Sequence, residues 1–141
     1  MPQNKIPDTI EFAGDYDCKN IFLHDHTGEK IDILQVTDEL NIYESIYKSA
    51  LTGSIVITDA QNLISKLEIQ GMERLSFVIR TPGTTNDRDI VNASETSGHP
   101  FHIYKITNRV QTAPGTLRYV LHFGSREFMR NIRTKVSQAY D

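Results

Sequence analysis

The histidines are the side chains in this chain with the clearest potential for metal chemistry. His24, Asp25 and His26 are consecutive, and neutral imidazoles are common zinc ligands. Two histidines at i and i+2 of a strand share one face, but a further ligand would have to come from a distant part of the chain. The spacing therefore favours solvated turn histidines, and we expect neither a metal nor a cofactor.

Nucleophilic and acid–base chemistry have equally weak signals. Cys18 is the single cysteine; no neighbouring motif activates it, so a structural thiol is the favoured interpretation. Glu39 with Glu44, or Asp87 with Asp89, form carboxylate pairs, yet glycoside hydrolysis requires a spatial separation that sequence spacing does not fix. The glycine patterns of phosphate and dinucleotide sites are missing from the sequence. We therefore expect a protein without enzymatic activity.

Charge is distributed unevenly along the 141 residues, whose formal net charge is −3. Residues 1 to 59 hold 4 basic and 11 acidic side chains, a net −7, whereas residues 60 to 141 hold 11 and 7, a net +4. Two interpretations fit this asymmetry: a fold that mixes both halves, or subunits that meet head to tail with acidic surface against basic surface. Dispersed basic residues disfavour nucleic-acid binding. With no secretion signal or apolar run of about 20 residues, we expect a soluble protein made in a cytoplasm and no membrane partner.

The first part of the chain predicts an arm followed by short strands. Residues 1–20 are polar and contain prolines, whereas residues 21–141 are long enough for one domain. Ile21 to Leu23 and Ile31 to Val36 predict a hairpin around the sequence HDHTGEK. Asn41 to Lys48 mixes helical spacing with β-favouring residues, and we favour a strand that continues from Val36.

The centre of the chain predicts a strand, a short helix, a turn and another strand. A β-branched run follows Gly53, and Asp59 can accept hydrogen bonds from the free amides of a short helix. That helix carries Leu63, Ile64 and Leu67, and the following strand, which starts after a turn at Gly71, buries Leu75, Phe77 and Ile79.

The segment from Thr81 to Pro100 is rich in turn-forming residues and predicts a long surface loop, or a loop with one short strand. Such a loop is a candidate contact arm, although mobility explains its composition equally well. The candidate contact residues are Asn86, Asp87, Arg88 and Asp89. Phe101 to Val110 and Leu117 to Phe123 then predict a hairpin with Pro114 and Gly115 in a type II turn.

The C-terminal segment predicts an amphipathic helix with Ser125 as its N-cap. Apolar residues recur at every fourth position from Phe128 to Tyr140, and basic residues occupy another face. Two roles fit the basic face: it solubilises the helix, or it docks on an acidic region of a neighbouring subunit. The candidate interface residues are Arg126, Arg130, Arg133, Asp15 and Asp17. The predicted fold is mainly β (α+β), an antiparallel barrel or sandwich with one short helix and one C-terminal helix.

The order of these elements resembles the N-terminal region of the baseplate hub proteins of T4-like contractile-tailed bacteriophages. The resemblance rests on the successive segments ELNIYESIYKSALTGSIVITDAQNLISKLEIQGMERLSFVIRT, HPFHIYKITNRV and LRYVLHFGSREFMRNIRTKVSQAYD. It covers roughly residues 31 to 141; the individual motifs are loose, and the specificity comes from their order. Those hub proteins are several hundred residues long and have two tube-like barrels, whereas this sequence has residues for one.

The resemblance implies a tail-tube-type β-barrel in a virion structural protein, assembled in the host cytoplasm. Copies would form a trimeric or hexameric ring that joins the tail tube to the central spike, and DNA would pass through its lumen without specific binding. An alternative is a small ligand- or carbohydrate-binding β domain that uses the Thr81 to Pro100 loop with Tyr104 or Tyr119 as a platform.

Overall fold

The computed structural model describes residues 13–71, 73–84, 90–97 and 99–133. Eight strands and two helices follow one another along these residues, with a short 3-10 turn at Leu34–Val36. The strands are β1 (Ile21–His24), β2 (Lys30–Asp32), β3 (Thr37–Tyr43), β4 (Thr52–Asp59), β5 (Arg74–Arg80), β6 (Ile90–Asn92), β7 (Phe101–Ala113) and β8 (Thr116–Gly124). The helices are α1 (Leu63–Lys66) and α2 (Arg126–Arg133).

All strand pairs are antiparallel and belong to one sheet. Its order is β2-β1-β5-β7-β8-β4-β3, and β6 pairs with β5 outside this path. The prediction of a mainly β, antiparallel fold with two helices is confirmed. The described sheet is open, however, because β2 and β3 at its two ends each pair with a single strand. The sequence predicts a barrel or a sandwich. The described residues do not close into a barrel within one copy.

The core lies on one face of the sheet, where apolar side chains from both of its halves form a single cluster. Three phenylalanines show this continuity, since the rings of Phe101 and Phe123 are 5.0 Å apart and those of Phe77 and Phe101 are 5.5 Å apart. They come from β5, β7 and β8, so the ring cluster joins the middle strands of the sheet. Phe77 and Ile103 are buried, as the period-two pattern predicts.

Asp59 organises the connection from β4 to α1. Its Oδ2 accepts the backbone N–H of Leu63 at 2.7 Å, and its Oδ1 accepts that of Gln61 at 2.9 Å. The carboxylate thereby satisfies the Leu63 amide, which the helix leaves free, and the Gln61 amide, which precedes the N-cap residue Asn62. Tyr119 on β8 donates its hydroxyl to the same Oδ2 at 3.3 Å. The predicted capping role of Asp59 is confirmed, and its link to the core was not visible in the sequence.

The predicted hairpins form with altered boundaries. The first joins β1 and β2, but β2 ends at Asp32 and the 3-10 turn replaces the rest of the predicted strand. The later hairpin is longer than predicted, and Gly115 in its two-residue turn has φ +74°, as the predicted turn requires. From Asn108 to Ala113, β7 is exposed, so this end of the hairpin projects from the core.

Two ambiguous segments are now defined. The strand favoured over Asn41 to Lys48 ends at Tyr43, after which the chain turns through an exposed loop, residues 44–51, which we call the β3–β4 loop. Within the predicted Thr81 to Pro100 loop lies the short strand β6. The C-terminal helix is described only to Arg133, and its predicted continuation to Tyr140 falls outside the described residues. Among the described residues, no helix is long and apolar enough to span a membrane.

Candidate functional site

His24 is buried in a hydrogen-bonded chain of three side chains. Its Nε2 lies 2.7 Å from Ser76 Oγ and its Nδ1 lies 3.2 Å from Glu95 Oε1. With a neutral imidazole, the Ser76 hydroxyl donates to Nε2 and the Nδ1–H group donates to the Glu95 carboxylate. Burial lowers the pKa of His24, with Arg74 and Lys30 acting in the same direction and Glu95 opposing them. The interpretation of His24 as a solvated turn histidine is therefore wrong.

The order hydroxyl, imidazole, carboxylate is that of a nucleophile, its base and an orienting group. The backbone around Ser76 differs from such sites, because this residue lies inside β5, opposite Phe22 in the ladder with β1. In α/β-hydrolases the nucleophilic serine stands on an exposed strand-to-helix turn, whereas Ser76 is only 4% exposed. We interpret the three residues as a tie that fixes the segment around Glu95 to β1 and β5.

The remaining candidates for chemistry are dispersed. Asp25 is used by its own turn, where Oδ1 accepts the N–H groups of Thr27 and Glu29 at 2.8 and 2.9 Å, while His26 is exposed. Among the described residues, no three His, Cys, Asp or Glu side chains are grouped to hold a metal ion. Cys18 is half-buried, and burial raises the pKa of its thiol.

The basic half of the candidate interface is exposed. Arg126, Arg130 and Arg133 all lie on solvent-facing positions of α2. The opposite side of the helix packs on the sheet, where the ring of Phe128 is 5.0 Å from that of Tyr104. The three guanidinium groups are therefore available to an acidic partner, as the amphipathic pattern implies.

The two acidic residues of the candidate interface differ in exposure. Asp15 is half-buried, whereas Asp17 is only 4% exposed and its Oδ2 lies 2.6 Å from Arg80 Nε. Backbone hydrogen bonds in both directions between Asp17 and Arg80 attach this segment to β5. Asp17 is thus paired within its own chain, and the structure does not bring it to an exposed acidic surface beside Asp15. The candidate contact residues Asn86 to Asp89 lie outside the described residues.

An exposed apolar surface on the β3–β4 loop was missed by the sequence reasoning. Ile46 and Tyr47 are 92% and 91% exposed, and Tyr43 at the end of β3 is 57% exposed. Clustered exposed side chains of this size are typical of interaction sites. The sequence signal was present, since three large apolar residues lie within five positions of an otherwise polar stretch.

A cavity of about 390 Å³ opens on the face of β1, β5 and β6 that points away from the core. Phe22, Val78 and Ile90 contribute its apolar walls, and Ser76 and Asp17 contribute polar atoms. We call it the outer cavity. Its lining comes from β1, β5, β6 and the segment before β1, which the sequence alone does not show to be neighbours.

The two tyrosines named for the alternative binding function differ in exposure. Tyr119 is fully buried, and burial together with the neighbouring Asp59 carboxylate raises the pKa of its hydroxyl. Tyr104 is half-buried, with its ring 5.0 Å from that of Phe128 on α2. Tyr119 is therefore wrong as a platform residue, whereas a platform at Tyr104 stays a prediction.

Comparison with known proteins gives no family. No protein-family model matches the chain, and a search of curated proteins gives no significant match.

Proposed function

We propose that this chain is a virion structural protein, a baseplate hub or tail-tube-initiating subunit of a contractile-tailed bacteriophage. In this role it assembles in the host cytoplasm into a trimeric or hexameric ring that joins the tail tube to the central spike. DNA passes through the lumen without specific binding. We infer the family from the resemblance in sequence, and the open sheet gives this inference physical support.

The observation that carries the proposal is the unpaired edge of β3. This seven-residue strand pairs on one side with β4, and among the described residues no strand pairs with its other side. A long open edge is a template for another strand, and soluble proteins usually protect such edges. Pairing between neighbouring copies protects this edge. When the pairing is repeated around a ring, the open sheets join into one continuous wall.

The order of elements also supports the proposal. The features that carry the resemblance occur as β3, β4, α1, Gly71 with Glu73, β5 and the β7–β8 hairpin. Glu73 accepts the backbone N–H groups of Gln70 and Gly71. These elements are consistent with a tube-type subunit whose barrel is completed by its neighbours.

The proposal is tested by the mass of the full chain in solution, measured by light scattering over a wide concentration range. The protomer mass of 16.1 kDa predicts about 48 kDa for a trimer and about 97 kDa for a hexamer. A single species of 16.1 kDa at every concentration would contradict assembly.

The basic face of α2 provides a second arm of the same test. In the Arg130→Glu, Arg133→Glu double variant we expect weaker assembly, because both exposed guanidinium groups are replaced by carboxylates. The matched control is Lys105→Glu, Arg109→Glu, which makes the same charge change at exposed positions of β7. If the α2 variant assembles like the unchanged chain, this helix is not part of the interface.

A further inference from the structure

Basic side chains lie close together beside α2, on the face of the sheet that points away from the core. Phe101 and Ile103 are buried in the core, so His102 between them points to the opposite face. Arg74 is its partner across the β5–β7 ladder, and paired residues of a ladder share a face. Both Arg74 and His102 are half-buried, so their polar groups are accessible from outside.

α2 packs on this same face. Gly124 is the partner of His102 in the β7–β8 ladder, so a side chain at position 124 would point to the same side of the sheet as His102. A Cβ built on Gly124 would collide with the ring of Phe128, and the helix therefore covers this side. The first turn of α2 and the β5–β7 ladder thus meet beside His102.

Two arginines of α2 lie close enough to His102 to affect its titration. Burial lowers the pKa of His102, and the guanidinium groups of Arg74, Arg126 and Arg133 lower it further. Arg126 and Arg133 are seven residues apart on one face of the helix, which is about 10 Å along its axis. The four side chains Arg74, His102, Arg126 and Arg133 therefore form one surface, which we call the basic corner.

Ion pairs do not balance the positive charge of the basic corner. Three ion pairs form among the described residues, and none of them includes Arg74, Arg126 or Arg133. Like charges that lie close together repel one another. A bound anion would offset this repulsion and would also raise the pKa of His102.

The carboxylates in this region leave the corner positive. Glu95 is paired with the buried histidine of β1, and Glu127 accepts a hydrogen bond from its own backbone N–H and lies near Arg130. Counting Arg130 with the corner, the region contains four arginines and these two carboxylates, a net charge of +2. The β3–β4 loop adds one acidic and one basic residue, and residues 134–141 add one of each, so neither segment changes the balance.

A short acidic segment of protein matches this surface better than nucleic acid does. Guanidinium groups about 10 Å apart match carboxylates about three residues apart in an extended chain, which advances about 3.3 Å per residue. A DNA duplex carries negative charge along its whole length and would also approach the acidic part of the chain. That part, residues 13–59, holds nine acidic and three basic side chains.

We propose that the basic corner binds an acidic segment of a neighbouring protein subunit, whose carboxylates pair with the arginines and with protonated His102. This inference rests on the proposed function, in that it specifies the partner of the α2 face and adds Arg74 and His102 of the sheet to that face. Binding takes up a proton, because a carboxylate beside His102 favours the charged imidazole. The affinity for an acidic segment therefore rises as the pH falls from 7.5 to 6.0.

Binding of a fluorescently labelled hexaglutamate peptide to the full chain, measured by anisotropy at low salt, tests the proposal. We expect roughly three- to tenfold tighter binding at pH 6.0 than at pH 7.5, which corresponds to a rise of up to about one unit in the pKa of His102. Arg74→Gln should weaken binding roughly three- to tenfold at both pH values, because a charge-assisted hydrogen bond is lost. His102→Gln should bind like the unchanged chain at pH 7.5 and should lose the pH dependence.

Arg109→Gln and His122→Gln are the matched controls. Arg109 is exposed on β7, and His122 is a half-buried histidine of β8 that donates to or accepts from Thr107, so both lie outside the basic corner. Each control makes the same chemical change as its test variant and should keep both the affinity and the pH dependence of the unchanged chain. Folding of each variant is checked by its circular dichroism spectrum.

Four results would overturn the proposal. The peptide does not bind; Arg74→Gln and Arg109→Gln weaken binding equally, so that only net charge attracts the peptide; or His102→Gln keeps the pH dependence. The fourth is tighter binding of a short DNA duplex than of hexaglutamate under the same conditions, which would identify nucleic acid as the partner.

The peptide measurement is separate from the test of ring assembly. If the chain assembles but the basic corner does not bind the peptide, the corner is overturned while the ring stands. If the corner binds the peptide as expected but the chain keeps a mass of 16.1 kDa at every concentration, the corner is supported and the proposed ring is contradicted.

Discussion

Removing the Asp59 carboxylate gives the sharpest test of how the fold is held. The carboxylate is 1% exposed and accepts hydrogen bonds from the backbone of Gln61 and Leu63 and from the Tyr119 hydroxyl. The backbone N–H of Ile64 also lies 3.5 Å from Oδ2, and in Asp59→Ala all four donors lose this partner. Water can replace it at exposed Gln61 but has no access at Leu63 or Tyr119, which are buried.

The expected loss of stability follows from these two classes of donor. Loss of a capping side chain costs about 1 kcal/mol, and leaving a buried donor unsatisfied costs about 1–3 kcal/mol. We therefore expect Asp59→Ala to lower the free energy of unfolding by about 2–4 kcal/mol. Asp59→Asn retains one acceptor oxygen and should lose about half as much.

A double-mutant cycle with Tyr119 isolates the hydrogen bond that joins Asp59 to this core residue. Tyr119→Phe removes one hydrogen bond and leaves the ring in place, so by itself it should cost about 1 kcal/mol. In the double variant no buried hydroxyl is left unsatisfied, so the combined loss should be smaller than the sum by about 1 kcal/mol.

Urea unfolding at pH 7, followed by circular dichroism, measures these differences as shifts of the midpoint at constant slope. Thr58→Ala is the adjacent control: its hydroxyl donates to exposed Asp38 and takes no part in accepting the α1 amides, so its cost should be small. A loss below about 1 kcal/mol for Asp59→Ala, or strict additivity with Tyr119→Phe, would refute the capping network as described.

Three further results are expected. Phe77→Ala or Ile103→Ala should each cost about 2–5 kcal/mol in urea unfolding because both side chains are buried, and a loss below 1 kcal/mol would mean that the strand faces are inverted. Gly53→Ala should cost about 1–3 kcal/mol, since a Cβ there collides with the backbone oxygen of Asn41 on β3; wild-type stability would show that β3 can move aside. Because the pKa of His24 is lowered in the folded chain, its contribution is present above the unfolded pKa near 6.5 and is lost as pH falls below it. Stability should therefore fall from pH 7 to pH 5, less steeply in His24→Gln, and an identical pH dependence in that variant would contradict the buried position of His24.

Features set by neighbouring residues could be predicted from the sequence. The β7–β8 hairpin follows from period-two alternation and from the Pro114-Gly115 turn, and Asp59 lies at the distance from Leu63 that capping requires. These signals are local, because the residues that decide each structure are within a few positions of one another. The element types were therefore found, although β2 and β3 ended earlier than predicted.

Features set by distant residues could not be predicted. His24 is buried because β1 pairs with β5, which places Ser76, 52 positions along the chain, at its imidazole. Asp17 loses its surface position through Arg80, 63 positions away. The open sheet has the same origin, since strand alternation defines a strand but not the number of partners that it finds.

The central claim is that copies of this chain complete one another's open sheets in a ring. Negative-stain electron microscopy of the assembled fraction from size-exclusion chromatography tests it most directly. We expect end-on views with threefold or sixfold symmetry and a central hole. Particles that remain single protomers at every concentration, or that aggregate without rotational symmetry, would contradict it.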